Sequence, residues 1–172
     1  MQPQKTKRNS ADVTLRLLAA DDIPALSALA HRIWRTHYAN IVSSAQIEYM
    51  LAELFSEAAL TEQLNNGRIS YTLAEYKGVL AGFIAYSEKE PRHVFIDKFY
   101  AEASLQGCGI GNALLHHVIA ALLKDSEIRL KINRYNIRSI NYYFRQGFEI
   151  ESMVDTPFGP FILNDYVMLK RV

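Results

Sequence analysis

A mixed α/β fold is predicted by three features of this sequence. Strand-like and helix-like segments alternate through its second half, a hairpin pattern stands on either side of that run, and a glycine-rich corner joins a strand directly to a helix. Together they predict a mostly antiparallel sheet of six to seven strands flanked by about four helices.

Val13-Thr14-Leu15-Arg16-Leu17-Leu18 alternates as a first strand. Asp21 or Asp22 is placed to N-cap a helix that carries Ile23, Leu26, Leu29, Ala30 and Ile33 on one stripe. Ser43 and Gln46 have capping-box spacing before a second helix with Ile47, Met50, Leu51 and Leu54 on its apolar side. Ser56 can cap a short third helix that stops near Gly67. Ile69 to Glu75 and Val79 to Tyr86 read as strands joined by the turn Tyr76-Lys77-Gly78. Val94 to Tyr100 is the strand before the glycine corner, with a helix over Asn112 to Lys124 after it. A strand over residues 128–133, a helix over 137–146 and a last strand pair, 148–154 and 161–170, follow across Pro157-Phe158-Gly159-Pro160. Residues 1–10 are polar and basic and are expected to form a flexible tail; residues 11–172 are expected to form a single domain.

Composition excludes several classes. The 172 residues are 49% hydrophobic, enough for a core, and the net charge of +1 gives no drive toward nucleic acid or an acidic membrane surface. No apolar run approaches the roughly 20 residues that cross a bilayer, and the start has no signal-peptide core. The single cysteine, Cys108, cannot form an internal disulfide and suits a reducing compartment, so a cytoplasmic location is expected. No metal site is expected: His116 and His117 are adjacent, and His31 and His37 lack a convergent acid.

The glycine corner, Gln106-Gly107-Cys108-Gly109-Ile110-Gly111-Asn112, is the feature with most chemistry in it. Glycine admits positive φ and close backbone approach, and a helix start offers unpaired N–H groups with a partial positive charge. The two make a seat for a phosphate or pyrophosphate. The corner is not a P-loop, because no Lys-Ser/Thr pair follows Gly111, and not a dinucleotide fingerprint, because Asn112 stands where the third glycine belongs.

It fits the pattern Q/R-x-x-G-x-G/A and so resembles the pyrophosphate loop of the GNAT superfamily of acyl-CoA-dependent N-acetyltransferases. A second stretch, Asn136-Ile137-Arg138-Ser139-Ile140-Asn141-Tyr142-Tyr143-Phe144-Arg145-Gln146-Gly147-Phe148, is similar to another signature of that family. The resemblance runs over residues 68–170 and implies the GNAT fold, acetyl-CoA as co-substrate and direct attack of an amine on the thioester without a covalent enzyme intermediate.

It also implies roles. The backbone of Phe99, Tyr100 and Ala101 lies along the pantetheine arm. The N–H groups of Gln106, Gly107, Cys108, Gly109, Ile110, Gly111 and Asn112 take the pyrophosphate. Tyr143, four residues before Gly147, is the general acid for the leaving thiolate, with Tyr142 the neighbour that packs. Asn136 holds the cofactor arm or N-caps the helix after it. Asp97 stands where polyamine acetyltransferases of the superfamily carry an acid, and is the candidate base and ammonium site, with His93 as runner-up. Trp34 and Tyr38 fall where such enzymes build their acceptor groove, although helical aromatics such as Trp34 are more often core. Substrate choice is expected from the first two helices and the last hairpin, where Asp165 and Tyr166 lie on the final strand. The segment from Ile33 to Leu54 resembles a bacterial subgroup of uncharacterised or polyamine-type members.

The implied partner is a small-molecule amine or a protein N-terminus, with no nucleic acid and no membrane, and a homodimer is open through the terminal strands. The alternatives are a non-catalytic acyl-CoA-binding module of the same fold and an unrelated nucleotide-binding domain.

Overall fold

Strands that are apolar on both faces must be covered on both, and this chain provides helices for each side. In the computed structural model, which describes residues 12–172, the order is β1 (Val13–Leu17), α1 (Ile23–His37), α2 (Ser44–Phe55), α3 (Glu57–Asn65), β2 (Ser70–Tyr76), β3 (Val79–Glu90), β4 (His93–Ala101), α4 (Ile110–Ala120), β5 (Glu127–Asn133), α5 (Ile137–Arg145), β6 (Glu149–Phe158) and β7 (Phe161–Arg171). The tail expected over 1–10 lies outside the described residues.

The sheet has seven strands in the order β1-β2-β3-β4-β5-β7-β6. Every neighbouring pair is antiparallel except β4 and β5, which run parallel. That pair requires a crossover, which the glycine corner and α4 supply. Helices α1, α2 and α3 cover one face, where Leu26, Leu51, Phe55, Leu60, Leu73 and Phe83 have no exposure. Helices α4 and α5 cover the other, with Leu114, Leu115, Val118 and Ile128 sealed in the same way. Each such side chain contributes about 1.5–3 kcal/mol by leaving water.

Local signals account for most boundaries. Ser43 Oγ accepts from the Gln46 N–H, Ser56 Oγ from the Ala59 N–H and Asn136 Oδ1 from the Ser139 N–H, so three of the helices start on side-chain caps. The β2–β3 turn places both Lys77 and Gly78 at positive φ, which matches the twist of a hairpin. Two expectations need correction. Asp22 precedes α1 but does not cap it: its carboxylate turns back to the Ala19 N–H and to Arg16, a stronger charged partner. The last hairpin turns on Gly159-Pro160 alone, since Pro157 and Phe158 still belong to β6, an edge strand where a missing N–H costs no ladder bond.

Two details position the site. The β3–β4 register pairs Ala85 with Lys98 and Tyr86 with Ile96, so Asp97 is an extra residue, a β-bulge. The β4–β5 ladder ends at Ile96 and Leu130, although β4 continues to Ala101 and β5 to Asn133. Beyond the bulge the two parallel strands part.

Candidate active site

The gap between β4 and β5 opens a cleft of about 680 Å³ that brings together residues from both layers. Its walls are the unpaired length of β4 from Asp97 to Ala101, the glycine corner with the first turn of α4, one side of α5, and His37 and Tyr38 at the end of α1. One edge of β4 therefore presents backbone groups without a strand partner, where an extended ligand can add its own hydrogen bonds.

The corner itself is built by conformation. Gly107 and Gly109 hold φ of 84° and 85°, and a Cβ on Gly107 would meet nothing within 4 Å, so that side of the turn is open. The first intrahelical bond of α4 runs from the Ala113 N–H to the Gly109 carbonyl, leaving the earlier N–H groups of Ile110, Gly111 and Asn112 outside the helix ladder. The expected amide set is narrower than the whole corner. The Gln106 N–H already donates to Ala103 and the Cys108 N–H to Leu105, because the chain makes tight turns there. The Cys108 side chain is fully buried in the core behind α4.

The tyrosine pair on α5 divides in two. The Tyr142 hydroxyl donates to Asn112 Oδ1 at 3.3 Å and ties α5 to the first turn of α4. Gly111 has no side chain, which lets that hydroxyl approach to 3.4 Å of where a Cβ would stand. Tyr143 lies deeper, 6% exposed, with its ring among Phe99, Tyr142 and Phe148 while still lining the cleft. Burial pushes its phenol well above the ordinary value, and the nearby hydroxyl of Tyr38 adds to that. It therefore keeps its proton. Burial also pushes Tyr38 up to about 12 and raises Tyr100 well above its ordinary value.

The bulge turns Asp97 and Lys98 toward the same face of the sheet. Asp97 accepts from the Ser87 hydroxyl at 2.8 Å. The Lys98 ammonium donates to Gln63 Oε1 at 2.6 Å and lies over the rings of Phe55 and Tyr71. Burial lowers its pKa to about 8, opposed by the charge of Asp97. Both residues line the cleft.

Other candidates fall elsewhere. His93 opens β4 at the far end of the ladder, half-exposed between Glu90 and Glu127, and does not reach the cleft. Trp34 is 5% exposed and stacks on Tyr38 at 4.3 Å inside the α1–α3 core, so it supports the cleft wall and does not line it. Its Nε1 faces the Tyr100 hydroxyl without making a hydrogen bond. Asn136 is buried at 2%, and its Oδ1 is occupied by the Ser139 N–H and by His37 Nε2 at 3.2 Å. His37, which burial shifts below its ordinary pKa, is a cleft residue that spacing alone does not single out. Among the described residues no three His, Cys, Asp or Glu side chains are grouped to hold a metal, and no helix is long and apolar enough to cross a membrane.

A sheet parted at its parallel pair, with a glycine corner and a helix start at one side of the gap, is the frame of an acetyltransferase. The profile of the acetyltransferase (GNAT) family matches residues 28–148, and the chain belongs to that family. It is 26% identical over 158 residues to a spermidine N(1)-acetyltransferase of Thermoplasma acidophilum, covering 88% of this chain and 96% of that one. It is 30% identical over 165 residues to an aminoglycoside N(6')-acetyltransferase type 1 of Klebsiella pneumoniae, covering 88% and 82%. The fold is shared with a PaiA N-acetyltransferase from Thermoplasma acidophilum solved in complex with coenzyme A, with a TM-score of 0.77 at 24% identity over 93% of this chain and 99% of that one.

Proposed function

We propose that this enzyme moves the acetyl group of acetyl-CoA to a primary amine of a small molecule, by direct attack of the amine on the thioester. The observation that carries the reading is the parting of β4 and β5 beside an open glycine corner. An extended pantetheine arm would lie along the free edge of Phe99, Tyr100 and Ala101. The pyrophosphate would sit at Gly107, Gly109 and the first amides of α4, from Ile110 to Asn112, where backbone dipoles replace a cluster of basic side chains. Bound there, acetyl-CoA supplies the activated acyl group.

The residues of the chain move the protons. Aliphatic amines with pKa near 10.4 are almost wholly protonated at neutral pH, so an acceptor nitrogen must lose a proton before it can attack. Asp97, held by Ser87 at the bulge, attracts the ammonium and accepts that proton directly or through water. The nitrogen then forms the new bond to the acyl carbon as the carbon–sulfur bond breaks. Tyr143, kept neutral by burial, gives its proton to the departing thiolate, whose conjugate acid has a pKa near 8.5. The second proton of the new amide nitrogen passes through water to restore the phenol, while the proton on Asp97 leaves to solvent. Asn136 acts on the cleft through His37 and the start of α5, its Oδ1 already occupied by both. Cys108, buried behind the corner, is badly placed to be a nucleophile.

The test is thiol release from acetyl-CoA with a panel of amines, followed on the millisecond scale. Release that depends on the amine, with no burst of thiol in its absence, supports direct attack. A burst without amine would establish an acyl-enzyme and overturn the mechanism.

A further inference from the structure

Asp165 is a buried carboxylate without a hydrogen-bond partner. It is 8% exposed, and among the described residues no N–H or O–H donates to it. Neither oxygen is sealed from solvent, so what exposure remains reaches the carboxylate. Buried polar groups are nearly always paired, because leaving one unpaired costs free energy that folding does not return. An unpaired carboxylate that solvent still reaches is a place where a donor from outside fits.

Its position says which cleft. On β7, Leu163 packs toward the α1–α3 face and Tyr166 toward the other, so Asp165 shares the face of Leu163. Its cross-strand partners are Asn133 on β5 and Val154 on β6. Two residues back along β5 stands Lys131, which lines the cleft, and the Tyr38 hydroxyl is close enough for its acidity to respond to the Asp165 charge. The hairpin tip beyond Asp165 is closed by Tyr49 against Phe158 and Phe161, with ring centroids 5.8 and 5.6 Å apart. Asp165 therefore lies on the α1–α3 side of the sheet, beside the cleft residues Lys131 and Tyr38 and between them and that aromatic contact.

We propose that Asp165 binds an ammonium group of the acceptor other than the nitrogen that is acetylated, so that the substrate is an aliphatic amine carrying at least one further positive charge. This rests on the acetyltransferase reading above. Strand spacing of about 4.8 Å and a rise of about 3.3 Å per residue set Asp97 and Asp165, two strands apart, at least ~12 Å from one another at their Cα atoms, and the parting of β4 from β5 adds to that. Two carboxylates on one face of the sheet at that separation suit two ammonium groups of one diamine or polyamine. The nearby charges do not consume the anchor. Lys131 donates to Thr156 at 3.3 Å, and Arg134 is engaged by Asp155. Burial raises the Asp165 pKa, while the fields of Lys131 and Arg134 oppose that rise and favour the ionised form an ammonium needs; Asp155 acts in the other direction.

The experiment compares wild type with Asp165→Asn on putrescine against n-pentylamine, which match in length, and on the longer spermidine, with acetyl-CoA held saturating. The expected result is a rise of about 10–100-fold in KM for the diamine and polyamine, the range for losing one charge-assisted hydrogen bond. KM for n-pentylamine and for acetyl-CoA should stay within twofold. The melting temperature should not fall, because no donor loses its acceptor; a marked fall would make Asp165 a structural residue and overturn the proposal. Equal losses on both kinds of amine, or no change on either, would overturn it as well. A wild type that acetylates n-pentylamine but not the polycations would overturn it while leaving the acetyltransferase reading intact. Absence of acetyl-CoA binding and of thiol release with every amine would remove both.

Discussion

His37 Nε2 lies 3.2 Å from Asn136 Oδ1, joining the last turn of α1 to the N-cap of α5 across the gap between β4 and β5. These residues are far apart in sequence and belong to helices on opposite faces of the sheet. Only where the sheet has parted can they meet. The contact marks the point at which the two sides of the cleft come together, and Asn136 holds it while also capping α5.

Replacing Asn136 with Ala should therefore do two things. Loss of the cap should cost about 1 kcal/mol of stability, seen as a lower melting temperature. Loss of the His37 contact should loosen the cleft and reduce kcat/KM beyond what the stability change explains. Asn136→Ser restores a cap without reaching His37; full recovery of activity in that variant would show that only the cap matters.

For Tyr143→Phe, turnover should fall by roughly 10²–10⁴, the range for a missing general acid, with little change in affinity for acetyl-CoA. Tyr142→Phe removes only the link to Asn112 and should cost far less. Unchanged turnover in Tyr143→Phe would take that residue out of the mechanism.

Asp97→Asn should lose activity at neutral pH and regain part of it as pH rises toward 10, because the acceptor then sheds its proton unaided. A flat pH response in the variant would count against a proton-accepting role for Asp97.

Lys98 makes stability depend on pH in a definite direction. Its folded pKa, about 8, is below the unfolded value of 10.5, so in that window the unfolded chain binds a proton the folded protein has released. Stability from this group rises with pH across the window, by about 3 kcal/mol at most, and is flat below it. Wild type should gain melting temperature relative to Lys98→Met between pH 7.5 and 10. A constant difference between the two would mean the lysine is not shifted.

The sequence carries the strand and helix order because apolar periodicity and caps are local: Ser43, Ser56 and Asn136 each perform the capping their positions suggest. The glycine corner was legible for the same reason. What local pattern could not carry depends on the sheet. The bulge at Asp97 exists only in the register against β3, and it is what sets Lys98 beside Asp97 on one face. Gly82 looks like an ordinary strand glycine, yet a Cβ there would stand 2.8 Å from the Tyr100 carbonyl oxygen and 2.9 Å from Ile110 Cγ2. Trp34 and His37 share a helix, and the tertiary packing sends the first into the core and the second to the cleft. A single-domain chain from 11 to 172 remains our proposal and fits one continuous sheet over the described residues.

The central claim is that the cleft takes acetyl-CoA. It is tested most directly by titrating acetyl-CoA, CoA, ATP and NAD into wild type and Gly109→Val and following the melting temperature. Gly109 holds φ of 85°, so valine strains the corner there, at a cost of about 1–3 kcal/mol. We predict a rise in melting temperature with acetyl-CoA and CoA, little or none with ATP or NAD, and loss of the CoA response in a Gly109→Val protein that still folds. A wild type that responds to ATP or NAD and to neither form of CoA would contradict the claim.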